Sequence, residues 1–325
     1  MKKTLTVISP VYNEEEVIDS FYSELKSVLA GLKERYLTNV LFVVDPGTDL
    51  TLERLRAIAA ADASVQVIVL SSRFGHQMSL LAGIDHSDSD IIVMLDCDLQ
   101  HPPDLIPKML TEFEKGYDIV YTIRQDSEEI GVFKQAGSKL FYKIINKISQ
   151  IPINESAADF RLISRRVADV FRNQIRERNQ FLRGLFSWVG FKNKGIYFRV
   201  RKREAGVSKY TFRRMITFGV HGILSFSKRP LQAAVFVGMG FAGLGFVFTL
   251  IIVVQYFLYS HFPPGWATLA VLVSVFSGIQ LIFMGIIGEY VGAIFDEVKG
   301  RPHYIVAEKI NASGMEGAES KPSES

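Results

Sequence analysis

Asp96 and Asp98 stand one residue apart in the stretch Asp90-Ile-Ile-Val-Met-Leu-Asp-Cys-Asp-Leu-Gln-His-Pro-Pro103. Two carboxylates at that spacing, with the amide oxygen of Gln100 beyond them, are hard oxygen donors suited to Mg²⁺ or Mn²⁺. A divalent cation held there can bridge a diphosphate. The apolar run Ile91 to Leu95 reads as a short buried strand, and ligands collect at the carboxyl ends of strands in open α/β sheets. Pro102 and Pro103 stop that strand and start a helix near Asp104. An Asp-x-Asp pair is also a common solvated turn, so its meaning depends on the elements around it.

Those elements alternate. Thr4 to Val11 reads as a strand ending in Pro10-Val-Tyr-Asn-Glu-Glu-Glu16, where Asn13 and Glu16 have the spacing of a capping box. Val17, Ile18, Phe21, Leu25, Val28, Leu29 and Leu32 then form one face of a helix. A second strand, Asn39 to Val44, ends in Asp45-Pro-Gly-Thr-Asp49. A helix through Leu52, Leu55 and Ile58, a strand from Val65 to Leu70 and a helix from Gln77 to His86 lead back to the strand before Asp96. Strands alternating with helices predict a parallel, doubly wound sheet. Glu14 to Glu16, Asp45 with Asp49, and Asp96 with Asp98 would all stand at strand ends, giving one acidic edge. Asp118 to Arg124 is a further strand, ending in a cation. A Lys-bearing helix (131–149), a short strand or turn entering a helix (157–166) and a basic strand (195–202) follow.

The chain of 325 residues has a net charge of only +3, but Phe160 to Arg229 holds 18 Lys and Arg against three acids. That leaves a strongly basic segment directly before an apolar one. Tyr210 to Ser227 mixes Phe212, Met215, Ile216, Phe218, Ile223 and Phe226 with Arg213 and Arg214, the pattern of an interfacial amphipathic helix. Residues 230–260 and 267–288 carry no charge, and each exceeds the roughly 20 residues that cross a bilayer core. Lys228 and Arg229 precede the first run and Lys299 and Arg301 follow the second, so both ends are expected in the cytoplasm. Cys97, the single cysteine, fits a reducing compartment. Met1-Lys-Lys-Thr4 leads into too short an apolar run for a signal peptide. Gly238-Met-Gly-Phe-Ala-Gly243 lies inside an apolar run without βαβ context, so it is read as helix packing, not as a dinucleotide site.

Several of these stretches together resemble one family. Ser9-Pro-Val-Tyr-Asn-Glu14, Asp45 with Asp49, Asp96-Cys-Asp-Leu-Gln-His-Pro-Pro103, Asp159-Phe-Arg-Leu162, Gln180-Phe-Leu-Arg183, Ala205-Gly-Val-Ser-Lys-Tyr210 and Gly288-Glu-Tyr290 occur in the order seen in family 2 glycosyltransferases of the polyprenyl-phosphate type. Dolichol-phosphate mannosyltransferases and bacterial bactoprenol glucosyltransferases belong to that type, and two apolar runs point to the bacterial branch. The resemblance implies a GT-A-type, mainly parallel α/β domain over 1–209 and an amphipathic helix over 210–228. Two transmembrane helices over 229–292 and a cytoplasmic tail over 293–325 complete it.

By the same resemblance Pro10, Tyr12, Glu14, Asp45 and Asp96 hold the nucleotide sugar, with UDP-glucose the first expectation. Asp96, Asp98 and Gln100 bind Mg²⁺ or Mn²⁺. Arg124, Lys134 and Arg203, with Ser138 and Lys209, bind the phosphate of undecaprenyl phosphate. Asp159 stands where a catalytic carboxylate is proposed, with Asp98 as its partner in catalysis, and a homotetramer in the inner membrane is implied. The chain departs from the family at Asp45-Pro-Gly-Thr48, where Asp-Gly-Ser is usual. Pro46 lacks a backbone donor there.

A phosphate monoester has its second pKa near 6, so its attacking oxygen needs no strong base. Asp159 is therefore expected to orient a substrate or stabilise positive charge at the anomeric carbon. An ion pair with Arg161 or Arg165 is the competing expectation. Most of the basic residues fit attraction to anionic head groups. A processive polysaccharide synthase and a non-catalytic membrane adaptor are the alternatives. Nucleic-acid binding is not expected, because no base-reading module accompanies the cations.

Overall fold

The computed structural model describes residues 2–125, 157–178, 180–199, 229–258 and 265–311. Lys134, Ser138, Arg203 and Lys209 lie outside the described residues, as do the helix expected over 131–149, the amphipathic helix and the tail beyond Asn311. The chain divides into two compact units. One comprises residues 1–142, 151–210 and 301–325, the other 143–150 and 211–300.

In the first unit β1 (Lys3–Val11), α1 (Ile18–Ala30), β2 (Tyr36–Val44), α2 (Thr51–Ala61), β3 (Val65–Leu70), α3 (His76–Asp85) and β4 (Ile91–Met94) alternate as the apolar periodicity predicts. After β4 a 3₁₀ turn at Pro103–Leu105 opens α4 (Ile106–Glu114). Then come β5 (Ile119–Gln125), β6 (Ala157–Ser164), α5 (Arg165–Asn173), α6 (Leu182–Trp188) and β7 (Asn193–Arg199). The last strand, β8 (Val306–Ile310), follows the second unit. The sheet runs β7-β5-β6-β4-β1-β2-β3-β8.

Pairing is parallel through β4, β1, β2 and β3, and between β5 and β7. β6 runs antiparallel to both β4 and β5. The sheet is therefore mixed and mostly parallel. The reversal matters for the site, because it brings the start of β6, with Asp159, to the edge where β4 and β5 end. The central strands are near-continuous apolar runs buried on both faces, such as Ile91–Met94, as expected where helices cover a parallel sheet on both sides. α1 buries Ile18, Phe21, Leu25 and Leu29, one stripe of its surface. α3 lies close on β1: a Cβ at Gly83 would come within 2.3 Å of Ile8 Cγ2. That packing fixes the N-terminus of α3, and with it His76, at the carboxyl edge of the sheet.

The segment after the second helix, expected as part of a tail, instead extends the sheet. β8 pairs antiparallel with β3, and Arg56 on α2 meets Glu308 through two nitrogens. Asn311 Nδ2 donates to the carbonyls of Ala59 and Val65. Tyr304 donates its hydroxyl to Asp85 Oδ2 at 2.8 Å, and that carboxylate also receives Arg176. The free edge of β3 is thereby covered.

The second unit contains two long helices, α7 (Arg229–Leu258) and α8 (Trp266–Val298). Among the described residues one stretch, Val275–Val298, is long and apolar enough to cross a membrane; a shorter apolar run, Ala234–Val247, lies in α7. Large apolar side chains on both helices are exposed, among them Phe236, Leu244, Leu281 and Met284.

Candidate active site

A cavity of about 280 Å³ opens at the carboxyl edge of β1, β2 and β4, lined by Pro10, Tyr12, Glu14, Asp45, Arg73, His76, Asp96 and Asp98 among others. The structure thus brings together six of the expected site residues: Pro10, Tyr12, Glu14, Asp45, Asp96 and Asp98. The loops after β1 and β2 are knitted together around it. Asn13 has φ 54° and caps no helix; its Oδ1 instead accepts the Thr48 N–H at 3.0 Å. Gly47 is needed beside it, since a Cβ there would fall 1.9 Å from that oxygen. Asp49 accepts from the Glu15 N–H and the Thr51 hydroxyl, and the Thr51 hydroxyl oxygen accepts the Glu14 N–H. Burial works to raise the Asp49 pKa, but these donors outweigh it and hold the carboxylate below its usual range.

Asp45 is buried, and its two oxygens accept the backbone N–H groups of Phe74 and Gly75 at 3.1 and 2.8 Å. It therefore fixes the loop that carries Arg73 and His76 into the cavity. The Arg73 guanidinium lies over the Tyr12 ring, 3.9 Å from its centroid, making a cationic and aromatic wall. Neither residue is an acid, so the pattern of carboxylates at strand ends does not single them out in the sequence; their place just after β3 is the signal that points to them.

His76 Nε2 lies 2.8 Å from Asp96 Oδ1. Burial disfavours the charged ring, but the hydrogen bond and charge of Asp96, with Asp159 nearby, lift its pKa to about 8. Burial likewise opposes the charge on Asp96, and His76 more than compensates, so the Asp96 pKa is lowered. Asp98 Oδ1 accepts the Gln100 N–H at 3.1 Å across the loop in which Leu99 has φ 57°.

Asp159 joins this cluster: its carboxylate, His76 and Asp96 each offer an atom within 4.8 Å of the others. Its strongest partner is neither of the two arginines expected. Arg183 at the start of α6 grips it through two bonds, Nε to Oδ1 and Nη2 to Oδ2, both 2.6 Å. Arg165 instead turns to Asp90 and the Asp88 carbonyl. Arg161 is buried with its guanidinium 4.3 Å from the Phe186 ring centroid. Burial pushes Arg161 down to about 10, against the pull of Asp159. Burial would raise Asp159, but Arg183 first, then His76 and Arg161, hold it down at about 2. A carboxylate so held is a fixed negative charge and a poor proton acceptor.

Arg124 is exposed at the end of β5 and is not among the residues that line the cavity. Its Nη2 lies 3.4 Å from Nε2 of His101. His101 is 1% exposed, with its ring between Phe160 and Phe198. The donor set of Asp96 and Asp98 suits a hard divalent cation, and His76 adds a nitrogen compatible with a transition metal.

Known proteins resemble this chain along most of its length. The family model for Glycosyl transferase family 2 matches residues 6–171. An uncharacterized glycosyltransferase of Bacillus subtilis is 39% identical over 301 residues, covering 93% of this chain and 92% of that one. An uncharacterized glycosyltransferase of Synechocystis is 34% identical, covering 94% and 95%. The SfII prophage-derived bactoprenol glucosyl transferase of Shigella flexneri is 34% identical over 302 residues, covering 93% and 97%.

Proposed function

The chain belongs to glycosyl transferase family 2, and from that premise we propose that it transfers glucose from UDP-glucose to undecaprenyl phosphate at the cytoplasmic face of a membrane. The observation that carries the reading is the meeting of Asp96, Asp98 and the cavity at one sheet edge, in a chain that covers nearly the whole length of a bactoprenol glucosyl transferase. Pro10, Tyr12, Glu14 and Asp45 line the place for the nucleotide. Asp96 and Asp98, with Gln100, would hold Mg²⁺ or Mn²⁺, which when bound would supply Lewis-acid stabilisation of the leaving diphosphate. Arg124, with Lys134, Ser138, Arg203 and Lys209, would receive the acceptor phosphate. Asp159, fixed by Arg183, supplies negative charge near the anomeric carbon. Direct attack by the phosphate oxygen inverts that carbon and gives a β-linked lipid phosphate sugar from an α-linked donor.

Membrane residence rests on the exposed apolar surface of α7 and α8, which exceeds what a soluble chain leaves in water. A return of the chain into the sheet as β8 after α8 favours an even number of crossings, because sheet strands on both sides of the helix pair share one compartment. Two spans, with both termini cytoplasmic, satisfy that condition and the flanking positive charges. A homotetramer is the assembly the family resemblance favours.

The test is incubation of the purified full-length protein with labelled UDP-glucose, undecaprenyl phosphate and Mg²⁺ or Mn²⁺. Chloroform-soluble, β-linked product supports the reading. Insoluble polymer supports a processive synthase instead. Nucleotide-sugar binding that is absent in the presence of metal, and no transfer from a panel of donors, supports an adaptor.

A further inference from the structure

We infer that His101 is a positioning residue that presets Arg124 for the acceptor phosphate, through a lone pair on its Nε2. This rests on the reading above in one respect: that Arg124 meets that phosphate. A guanidinium has only N–H donors. The 3.4 Å contact from Arg124 Nη2 therefore makes His101 Nε2 the acceptor, and the ring is neutral with its proton on Nδ1. The Arg124 side chain has no other hydrogen-bond partner among the described residues.

The surroundings fix that lone pair. His101 is 1% exposed and lies against Phe160 at 5.9 Å, edge to face, and Phe198 at 5.3 Å between ring centroids. Its Nδ1 is buried with no hydrogen-bond partner. The two aromatic rings pack the imidazole, and its Nε2 faces the Arg124 guanidinium at the end of β5. An exposed arginine would ordinarily sample many rotamers, and their loss on binding an anion costs free energy. Anchored at a buried nitrogen, Arg124 is ordered before the lipid arrives.

Placement in sequence adds a second consequence. His101 directly follows Gln100, whose N–H closes the loop onto Asp98. One short loop therefore carries both the diphosphate-side carboxylate and the anchor for the acceptor-side cation, which keeps the two reactants in register.

The experiment compares His101→Phe, His101→Gln and His101→Asn in the full-length protein, with undecaprenyl phosphate as varied acceptor. Phe fills the space without an acceptor; Gln places an oxygen near the Nε2 position; Asn reaches only the Nδ1 position. Loss of one hydrogen bond to a charged group predicts an acceptor KM raised about tenfold in His101→Phe, with UDP-glucose Kd and melting midpoint close to wild type. His101→Gln should recover most of the loss, and His101→Asn should behave like His101→Phe. If His101→Phe fails to fold, the Gln and Asn pair carries the comparison. Unchanged acceptor KM in His101→Phe, or Gln and Asn variants impaired alike, overturns the inference. Arg124→Ala separates the two levels. If it leaves acceptor KM unchanged, the role assigned to Arg124 falls. If it raises acceptor KM while His101→Phe does not, only the role of His101 falls.

Discussion

Replacing Arg183 with methionine tests whether Asp159 serves as a base or as a fixed charge. In the proposed reaction the acceptor's second proton has a pKa near 6, whereas Asp159 is held at about 2. Moving that proton to Asp159 is uphill by about four pKa units, or about 5 kcal/mol. Solvent removes it without that cost at neutral pH. Acceptor kcat/KM should therefore show an acid limb near pH 6 that belongs to the phosphate, and a phosphonate acceptor, whose second ionisation lies higher, should move the limb upward. Arg183→Met removes two charge-assisted bonds. With Arg183 37% and Asp159 20% exposed, solvent screening reduces the loss to about 2 kcal/mol of stability. Burial, no longer opposed by Arg183, then raises the Asp159 pKa. If Asp159 is a fixed charge, the variant is slower but its acid limb stays where the acceptor sets it. A limb that ignores the change of acceptor and moves upward in Arg183→Met would refute the reasoning, because it would report the carboxylate itself as the base. The associated stability has a defined sign: for a depressed carboxylate it is complete above about pH 4 and is lost as pH falls through about 2.

Three further outcomes are expected. In metal-free protein, His76 should titrate with a midpoint of about 8 by NMR, so its ion pair with Asp96 is complete below about pH 6.5 and fades as pH rises through 8; Mg²⁺ should lower the midpoint, and a midpoint unmoved by saturating Mg²⁺ would count against Asp96 as a ligand. Gly83→Ala should cost about 1–3 kcal/mol by overpacking α3 on β1, because the new Cβ meets Ile8 Cγ2 at 2.3 Å; a melting midpoint equal to wild type would show that the helix shifts freely. Ending the chain at Gly300 removes β8 and uncovers the β3 edge, so the truncated protein should aggregate at lower temperature than a chain ending at Ala312, and equal behaviour would show that β8 contributes little.

Much of this architecture was legible because the signals were local. Apolar runs bounded by turn residues located β1 to β5, and the periodic faces of α1 and α2 needed no tertiary information. Acids at the ends of β1, β2 and β4 predicted one edge, and Glu14, Asp45, Asp96 and Asp98 do line one cavity. Their pairing was less legible. Asn13 looks like a helix cap in sequence, yet a left-handed backbone turns its side chain across to Thr48. Asp45 looks like a nucleotide ligand, and in the fold its oxygens also organise the Arg73 loop.

The contacts that decide the chemistry join residues that only the antiparallel course of β6 brings together. A reader of the sequence sees Asp159 two residues from Arg161 and six from Arg165, and proximity along the chain favours those partners. On a strand, however, Arg161 shares the face of Asp159 without reaching its carboxylate head-on, and it is spent against Phe186 instead. Arg165 has already left the strand for α5, at the far edge of the sheet. Arg183 reaches Asp159 because α6 begins at the edge where β6 begins, with Leu182 N–H received by Gln77 of α3. The same contact places Arg183 beside the helix that carries His76. Asp159 thus faces cations from β6, α3 and α6 together, and that convergence, rather than any one motif, makes it a permanently charged wall of the candidate active site.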